Sequence, residues 1–128
     1  MAFRHWEYGA CIGIADRVYI ARMRWTVEFL PAARDELYAL PPGLSARMVR
    51  LLDIVVDHGL DQMREPHVKH LDGKLWELRA KSAEGIARGL YVTMTGRRVV
   101  VLHVFEKKTE KTPQRALALA RERMKEVT

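Results

Sequence analysis

Lys74, Arg79, Arg88, Lys107, Lys108 and Lys111 are the residues of this sequence whose types fit one chemistry together. Arg can hold two non-bridging phosphate oxygens at once and meet the negative charge that builds on a phosphodiester as it breaks. Lys crowded by like charges has its ammonium form disfavoured, which brings it toward the acid or base strength that proton transfer near neutrality needs. RNA asks least of such a site. Its 2′-OH is a built-in nucleophile, so a protein need only orient it, remove its proton and stabilise the phosphate. That chemistry requires no metal, and no cofactor is expected.

Other candidates are weaker. His67 and His70 are three apart, but two His without a third ligand make a poor metal case, and a surface turn is the expectation for them. His103 stands inside an apolar strand, where a lone His is usually satisfied by a hydrogen bond; its place near the strand end keeps it as a second-tier candidate. There is no Gly-rich phosphate loop ending in Lys-Ser/Thr, no HExxH, no paired Cys and no Ser in a nucleophile elbow.

Charge points the same way as the candidate chemistry. Residues 1–63 hold 7 Lys and Arg against 8 Asp and Glu, whereas residues 64–128 hold 15 against 8. The positive excess therefore lies wholly in the second half, which suits a polyanion or an acidic protein as partner, or else a solvated basic face. The one cysteine, Cys11, cannot form an internal disulfide, and a reducing cytoplasm is the natural compartment. No apolar run approaches the ~20 residues that span a bilayer, so no membrane partner is expected. Arg4, His5, Glu7, Asp16 and Arg17 interrupt the N-terminus too often for a signal peptide.

The elements that must position these residues follow from periodicity. WTVEFL, residues 25–30, alternates as a strand does, and Pro31 suits the first turn of a helix. AARDELYAL follows, with Ala33, Leu37 and Leu40 on one side, until PPG at 41–43 stops it. Leu44, Met48, Leu51, Leu52 and Val55 recur at helical spacing and predict a second helix from about Leu44 to His58, capped by Gly59. These helices should form a hairpin laid on a sheet. LWELRA (75–80), IARGLYVTM (86–94) and RRVVVLHVF (97–105) read as an antiparallel meander, its turns formed by KSAEG and TGR. In the last strand Val100, Leu102 and Val104 are expected on one face and Val99, Val101 and Phe105 on the other, which suits a central position. Thr112 as N-cap and Pro113 at the first position predict a final helix with Leu117, Ala120 and Met124 inward.

A single α/β (α+β) domain is the expectation: a mainly antiparallel sheet of about four strands, an N-terminal helical hairpin and a C-terminal helix. A meander could bring Arg79, Arg88 and the lysines to one end or face. A one-residue slip in the KSAEG turn would instead put Arg79 and Arg88 on opposite faces.

KHLDGKLWELRAKSAEGIARGLYV followed by VVVLHVFEKKTEKTPQRALALARERMKEV resembles the HigB branch of the RelE/ParE toxin superfamily, including its phage-derived members. The resemblance lies in Gly73 with LWELR, Arg88 before Tyr91, His103 to Lys108, and Lys111 to Pro113, and it extends from about Trp25 to Lys125. It implies a compact α/β fold and a toxin of a type II toxin–antitoxin pair that cleaves mRNA in the ribosomal A site. The product would be a 2′,3′-cyclic phosphate. It further implies a helix-turn-helix, HigA-like antitoxin and a toxin–antitoxin hetero-oligomer. On this resemblance Arg79 and Arg88 hold phosphate or RNA backbone, and Lys107, Lys108 and Lys111 form the basic stretch at the scissile bond, with Lys107 or Lys108 moving the proton. Lys74 and His103 are weaker RNA contacts, and Tyr91 supports the sheet or stacks on a base.

Two departures stand out. Gly89 occupies a place where relatives carry a β-branched or aromatic residue, which should loosen that strand. Residues 1–22 precede a toxin domain of 23–128, either as an added strand or arm or as an upstream extension of a reading frame that starts at Met23. Two other functions compete with RNA cleavage: a ParE-like toxin that inhibits DNA gyrase without cutting RNA, and a degenerate module that only binds antitoxin.

Overall fold

The structure, a computed structural model, describes residues 4–6, 25–60, 63, 67–107 and 112–127. The elements are β1 (Arg4–Trp6), β2 (Thr26–Phe29), α1 (Pro31–Ala39), α2 (Pro42–His58), β3 (Val68–Asp72), β4 (Leu75–Ser82), β5 (Gly85–Met94), β6 (Arg98–Lys107) and α3 (Gln114–Met124). They build one mixed sheet in the order β1-β2-β6-β5-β4-β3. The expected α/β fold is thus observed, with three helices, but the strand count differs. Five strands, β2 to β6, make the body of the sheet, and the short β1 pairs antiparallel on β2. The rest of the predicted extension, residues 1–3 and 7–22, lies outside the described residues.

The strand beyond the expected four is β3, which replaces the surface turn expected around His67 and His70. It lies on the sheet edge and pairs antiparallel with β4 through Val68↔Leu78 and His70↔Trp76. Only Val68 is buried there, while Lys69, His70 and Asp72 are exposed. An edge strand needs little apolar alternation, and its charged side chains discourage pairing with another chain. His70 packs its ring edge on Trp76, with centroids 4.8 Å apart.

Meander β4-β5-β6 forms as expected, and β6 is central, with β5 on one side and β2 parallel to it on the other. Cα partners share a face, so the pairings fix which residues look the same way. Glu77↔Leu90, Arg79↔Arg88, Arg88↔Phe105 and Ile86↔Lys107 put these side chains on one face. Trp76↔Tyr91 and Leu78↔Gly89 belong to the other.

A register shift corrects the expected face assignment of β6. Leu90 pairs with His103 but Tyr91 pairs with Val101, leaving Leu102 as the extra residue of a bulge. Val99 and Val101 therefore lie on the Tyr91 face, whereas His103, Phe105 and Lys107 lie on the Arg88 face. Strict odd–even alternation would have kept all five together.

Helix α2 covers the Tyr91 face. Leu44, Met48, Leu51, Leu52 and Val55 are all at most 1% exposed, each worth roughly 1.5–3 kcal/mol relative to exposure. Its start differs from the expected one: α1 ends at Ala39, and Pro42 and Gly43 already belong to α2. Gly59 ends it as predicted, with φ 88° and its N–H on Val55 O at 2.8 Å. Gly89 faces Met48 of this helix, and a Cβ there would lie 3.6 Å from the Met48 terminus, an ordinary contact.

Helix α3 packs over the Arg88 face through Ala116 and Ala120. Helix α1 lies along the edge of β6 that β2 vacates when Pro31 ends it. Leu30 N–H makes the last ladder bond there, to Val101 O at 3.2 Å. Beyond it, side chains replace the missing strand: Glu36 Oε1 accepts Val104 N–H at 3.0 Å and Arg123 Nη1 donates to Leu102 O at 2.9 Å. Buried backbone groups must find partners, and these two do.

Candidate active site

Two arginines directly opposite each other on an antiparallel ladder repel unless a negative charge lies between them. Arg79 and Arg88 are in that position, because the two-residue turn Ala83–Glu84 sets Ser82 opposite Gly85 and so fixes the register. Glu77 supplies the negative charge. It precedes Arg79 by two residues, hence shares its face, and its Oε1 accepts Arg79 Nε at 2.8 Å and Arg88 Nη1 at 2.7 Å. Its Oε2 accepts the Thr112 hydroxyl, and Thr112 Oγ1 in turn accepts Arg88 Nη1 at 3.2 Å.

Burial sharpens the division of labour. Glu77 is 0% and Arg88 5% exposed, whereas the Arg79 side chain keeps 25% of its surface. Burial alone would raise the Glu77 carboxyl pKa, but hydrogen bonds from Arg88, Arg79 and Thr112, with the Arg88 charge, hold it below the usual carboxylate range. Arg79 is gripped by Nε, and its Nη1 and Nη2 make no hydrogen bond among the described residues. An Arg held that way presents the end of its fork to an anion.

Lys107 is on the same face, two residues beyond Phe105, the cross-strand neighbour of Arg88, and it is 6% exposed. Lys108 and Lys111 lie outside the described residues. Thr112, which follows them, corrects the expectation of an N-cap: α3 starts at Gln114 with Pro113 in the cap position and no side-chain cap bond. The Thr112 hydroxyl is committed to Glu77 instead.

A second polar cluster occupies the same face nearer the β6 edge. His103 Nδ1 lies 2.9 Å from Glu36 Oε1, Arg123 Nη1 donates to that oxygen at 2.9 Å, and the His103 ring stacks on Phe105 at 5.0 Å. Burial would raise the Glu36 pKa, yet hydrogen bonds from His103, Arg123 and Val104 N–H, with the electrostatic pull of His103, bring it down to about 2. The cluster ties α1, β6 and α3 together.

A family model described as phage-derived protein Gp49-like (DUF891) matches residues 35–125, from α1 through α3, and includes every residue of both clusters. The chain belongs to the phage-derived Gp49-like family. This is a RelE/HigB-type toxin-like family associated with toxin–antitoxin systems, and that association implies an antitoxin as partner. No curated protein matches the chain. No helix among the described residues is long and apolar enough to cross a membrane.

In this Gp49-like chain the sequence-predicted site residues separate into two groups. Arg79, Arg88, Lys107 and His103 share one face. Lys74 does not join them: it is exposed in the β3–β4 turn, five residues or roughly 16 Å of strand from Arg79. It borders an open cleft of about 550 Å³ with Trp76, Val92 and Met94. Tyr91 is buried on the opposite face, with a hydroxyl that has no partner among the described residues, and burial pushes its pKa up. That placement favours support of the sheet over stacking on a base.

Sequence reasoning did not single out Glu77, Glu36, Thr112 or Arg123 as members of a site. Glu77 carried a local signal, a carboxylate inside the apolar run LWEL two residues from Arg79. Glu36 and Arg123 carried none, since their contacts span 67 and 87 residues of chain.

Proposed function

We propose that this Gp49-like chain is the toxin of a type II toxin–antitoxin pair and acts as an endonuclease on mRNA in the ribosomal A site. The observation that supports this best is the Arg79 guanidinium, held by Nε against Glu77 with its terminal nitrogens unspent, on the face where β6 delivers Lys107. Arg79 takes two non-bridging oxygens of the scissile phosphate. Lys107 or Lys108 accepts the 2′-OH proton, the 2′-oxygen bonds to the adjacent phosphorus, and the bond from phosphorus to the 5′-oxygen breaks. A second lysine of the stretch returns a proton to that 5′-oxygen. The products are a 2′,3′-cyclic phosphate and a 5′-hydroxyl. Arg88 keeps the buried Glu77 charge balanced, and Lys111 binds RNA backbone beside the break.

Purified protein added to ribosomes programmed with a defined mRNA tests the proposal. Cleavage at the A-site codon, a cyclic-phosphate 3′ end and relief by the helix-turn-helix antitoxin are expected. Inhibition of gyrase supercoiling with intact mRNA would replace this reading with the ParE-like one.

A further inference from the structure

Strands β4 and β5 part before β5 ends. Their pairing stops at Trp76↔Tyr91, whereas β5 runs on through Met94 against β6 alone, with Val92↔Val100 and Met94↔Arg98. The step leaves the open cleft of about 550 Å³, lined by Lys74, Trp76, Val92, Thr93, Met94 and Thr95. Because the cleft opens at a strand edge, both faces of the sheet contribute to it. Val92 and Met94 continue the Arg88 face, since residues two apart share a side, while Trp76 and Thr93 belong to the other. The cleft is thus shared with the face that carries Arg79, which stands roughly 16 Å of strand away.

Its lining combines an aromatic ring, a thioether, a cation and two hydroxyls. Trp76 and Met94 are half-buried, and Lys74, Thr93 and Thr95 are exposed. The ring is braced from the side: His70 packs against Trp76 with centroids 4.8 Å apart, and His70 Nε2 donates to Gly73 O at 2.8 Å. That bond ties the turn bearing Lys74 to the indole. Lys74 itself makes no hydrogen bond or ion pair among the described residues, and no Asp or Glu lines the cleft. Asp72, two residues before Lys74, is engaged by Arg121. A braced ring beside an unspent cation matches a nucleobase with its phosphate, because every base has a π-face to stack and each nucleotide brings a negative charge. A peptide strand matches less well. Past Tyr91, β5 offers it only Val92–Met94, short of the usual strand of roughly 5–6 residues.

We propose that this cleft is a second RNA subsite, in which a base of the single strand stacks on Trp76 beside Met94 while Lys74 holds its phosphate. It takes a nucleotide a few steps along the strand from the one held at Arg79. The identity of the ligand rests on the proposed RNA cleavage; the shape and charge of the cleft do not.

The test uses the full chain and a short 2′-O-methyl RNA oligonucleotide, which has no 2′-OH to attack and so binds without being cut. The oligonucleotide should shift the Trp76 indole Nε1–H resonance, and an abasic version of it should not. Trp76→Ala should weaken binding about 10-fold, with Trp76→Phe recovering most of the loss. Lys74→Ala should weaken it about 3-fold and lower the salt dependence by about 0.7 in slope, as for one lost phosphate contact. If Trp76→Ala does not fold, the abasic comparison on the unaltered chain and Lys74→Ala, in an exposed turn, decide. An oligonucleotide that leaves the Trp76 signal in place, or an abasic one that binds as tightly, overturns the inference. So does a cleft that answers to an extended acidic peptide and not to RNA. Cleavage of mRNA without the Trp76 shift removes only the subsite; the shift without any cleavage removes only the endonuclease reading.

Discussion

Arg79 and Arg88 stand opposite each other across β4 and β5 and donate to one and the same oxygen of Glu77, yet only Arg79 reaches solvent. Their substitutions should therefore behave differently. Arg88→Met leaves the Glu77 carboxylate buried beside a single partial partner and should cost about 3–5 kcal/mol of stability, the usual penalty for breaking a buried pair from one side. Arg79→Ala removes a partly exposed partner and should cost about 1 kcal/mol. Urea unfolding of the two variants at neutral pH measures the contrast. Equal losses would mean that Glu77 draws no more from Arg88 than from Arg79.

Activity should invert that order of interest. Arg79→Ala is expected to stay folded and to lose about 100-fold or more in A-site cleavage, the scale seen when one preorganised donor to a developing anion is removed. Arg79→Lys should recover little, because an ammonium cannot reproduce both the Nε grip on Glu77 and a two-pronged hold on phosphate. A single-turnover assay with thermal melts in parallel checks both. A fully active Arg79→Ala protein would remove Arg79 from the site.

Acid should weaken the fold through its carboxylates. The Glu36 pKa, about 2 in the folded protein against an ordinary 4.5, is depressed, so its contribution is fully present above pH 4.5. That contribution fades as pH falls toward 2 and is on the order of 3 kcal/mol. Glu77, also held below its ordinary value, acts in the same direction. Glu36→Gln should be less stable than the unaltered chain at pH 7, and the gap should narrow to about half by pH 3 and close only near pH 2 and below, where Glu36 protonates in the folded protein. Stability measured by urea at the two pH values shows this, and a gap that widened in acid would contradict it.

Gly89 offers a test in the other direction. A Cβ there would meet Met48 at 3.6 Å and Val101 at 4.0 Å, which is ordinary contact. Gly89→Ala should stabilise the chain by about 0.5 kcal/mol, because Ala loses less backbone freedom in a strand. Gly89→Phe should destabilise it, since the ring would displace Met48 from between α2 and the sheet. Melting temperatures of both variants suffice, and a destabilised Gly89→Ala would contradict the room for a Cβ between β5 and Met48.

Much of this fold was legible because its information is local. Strands β4, β5 and β6 announce themselves by apolar residues and short turns, and α2 by five residues at helical spacing. Strand β3 does not, because an edge strand with one buried residue has no alternation to read. The parallel pairing of β2 with β6 joins Thr26 to Arg98 and leaves no mark in either segment. At the candidate site, the sequence put Arg79 and Arg88 on neighbouring strands but could not fix their register, which depends on a turn being two residues long. It placed Thr112 as a helix cap because Thr before Pro usually is one. A buried carboxylate 35 residues away competes for the same hydroxyl and wins.

The bulge at Leu102 gives β6 a property that no side chain on it possesses. Were β6 paired in strict alternation without the bulge, His103, Phe105 and Lys107 would turn toward α2 and drive a lysine into the Met48 side of the core, while Leu102, Val104 and Glu106 would face the arginines. One unpaired residue therefore acts as the frame of the sheet, much as one nucleotide sets the frame of a message. The pairing register between Val99 and Lys107, and not composition alone, determines whether a hydrophobic strand ends in a core or in a site.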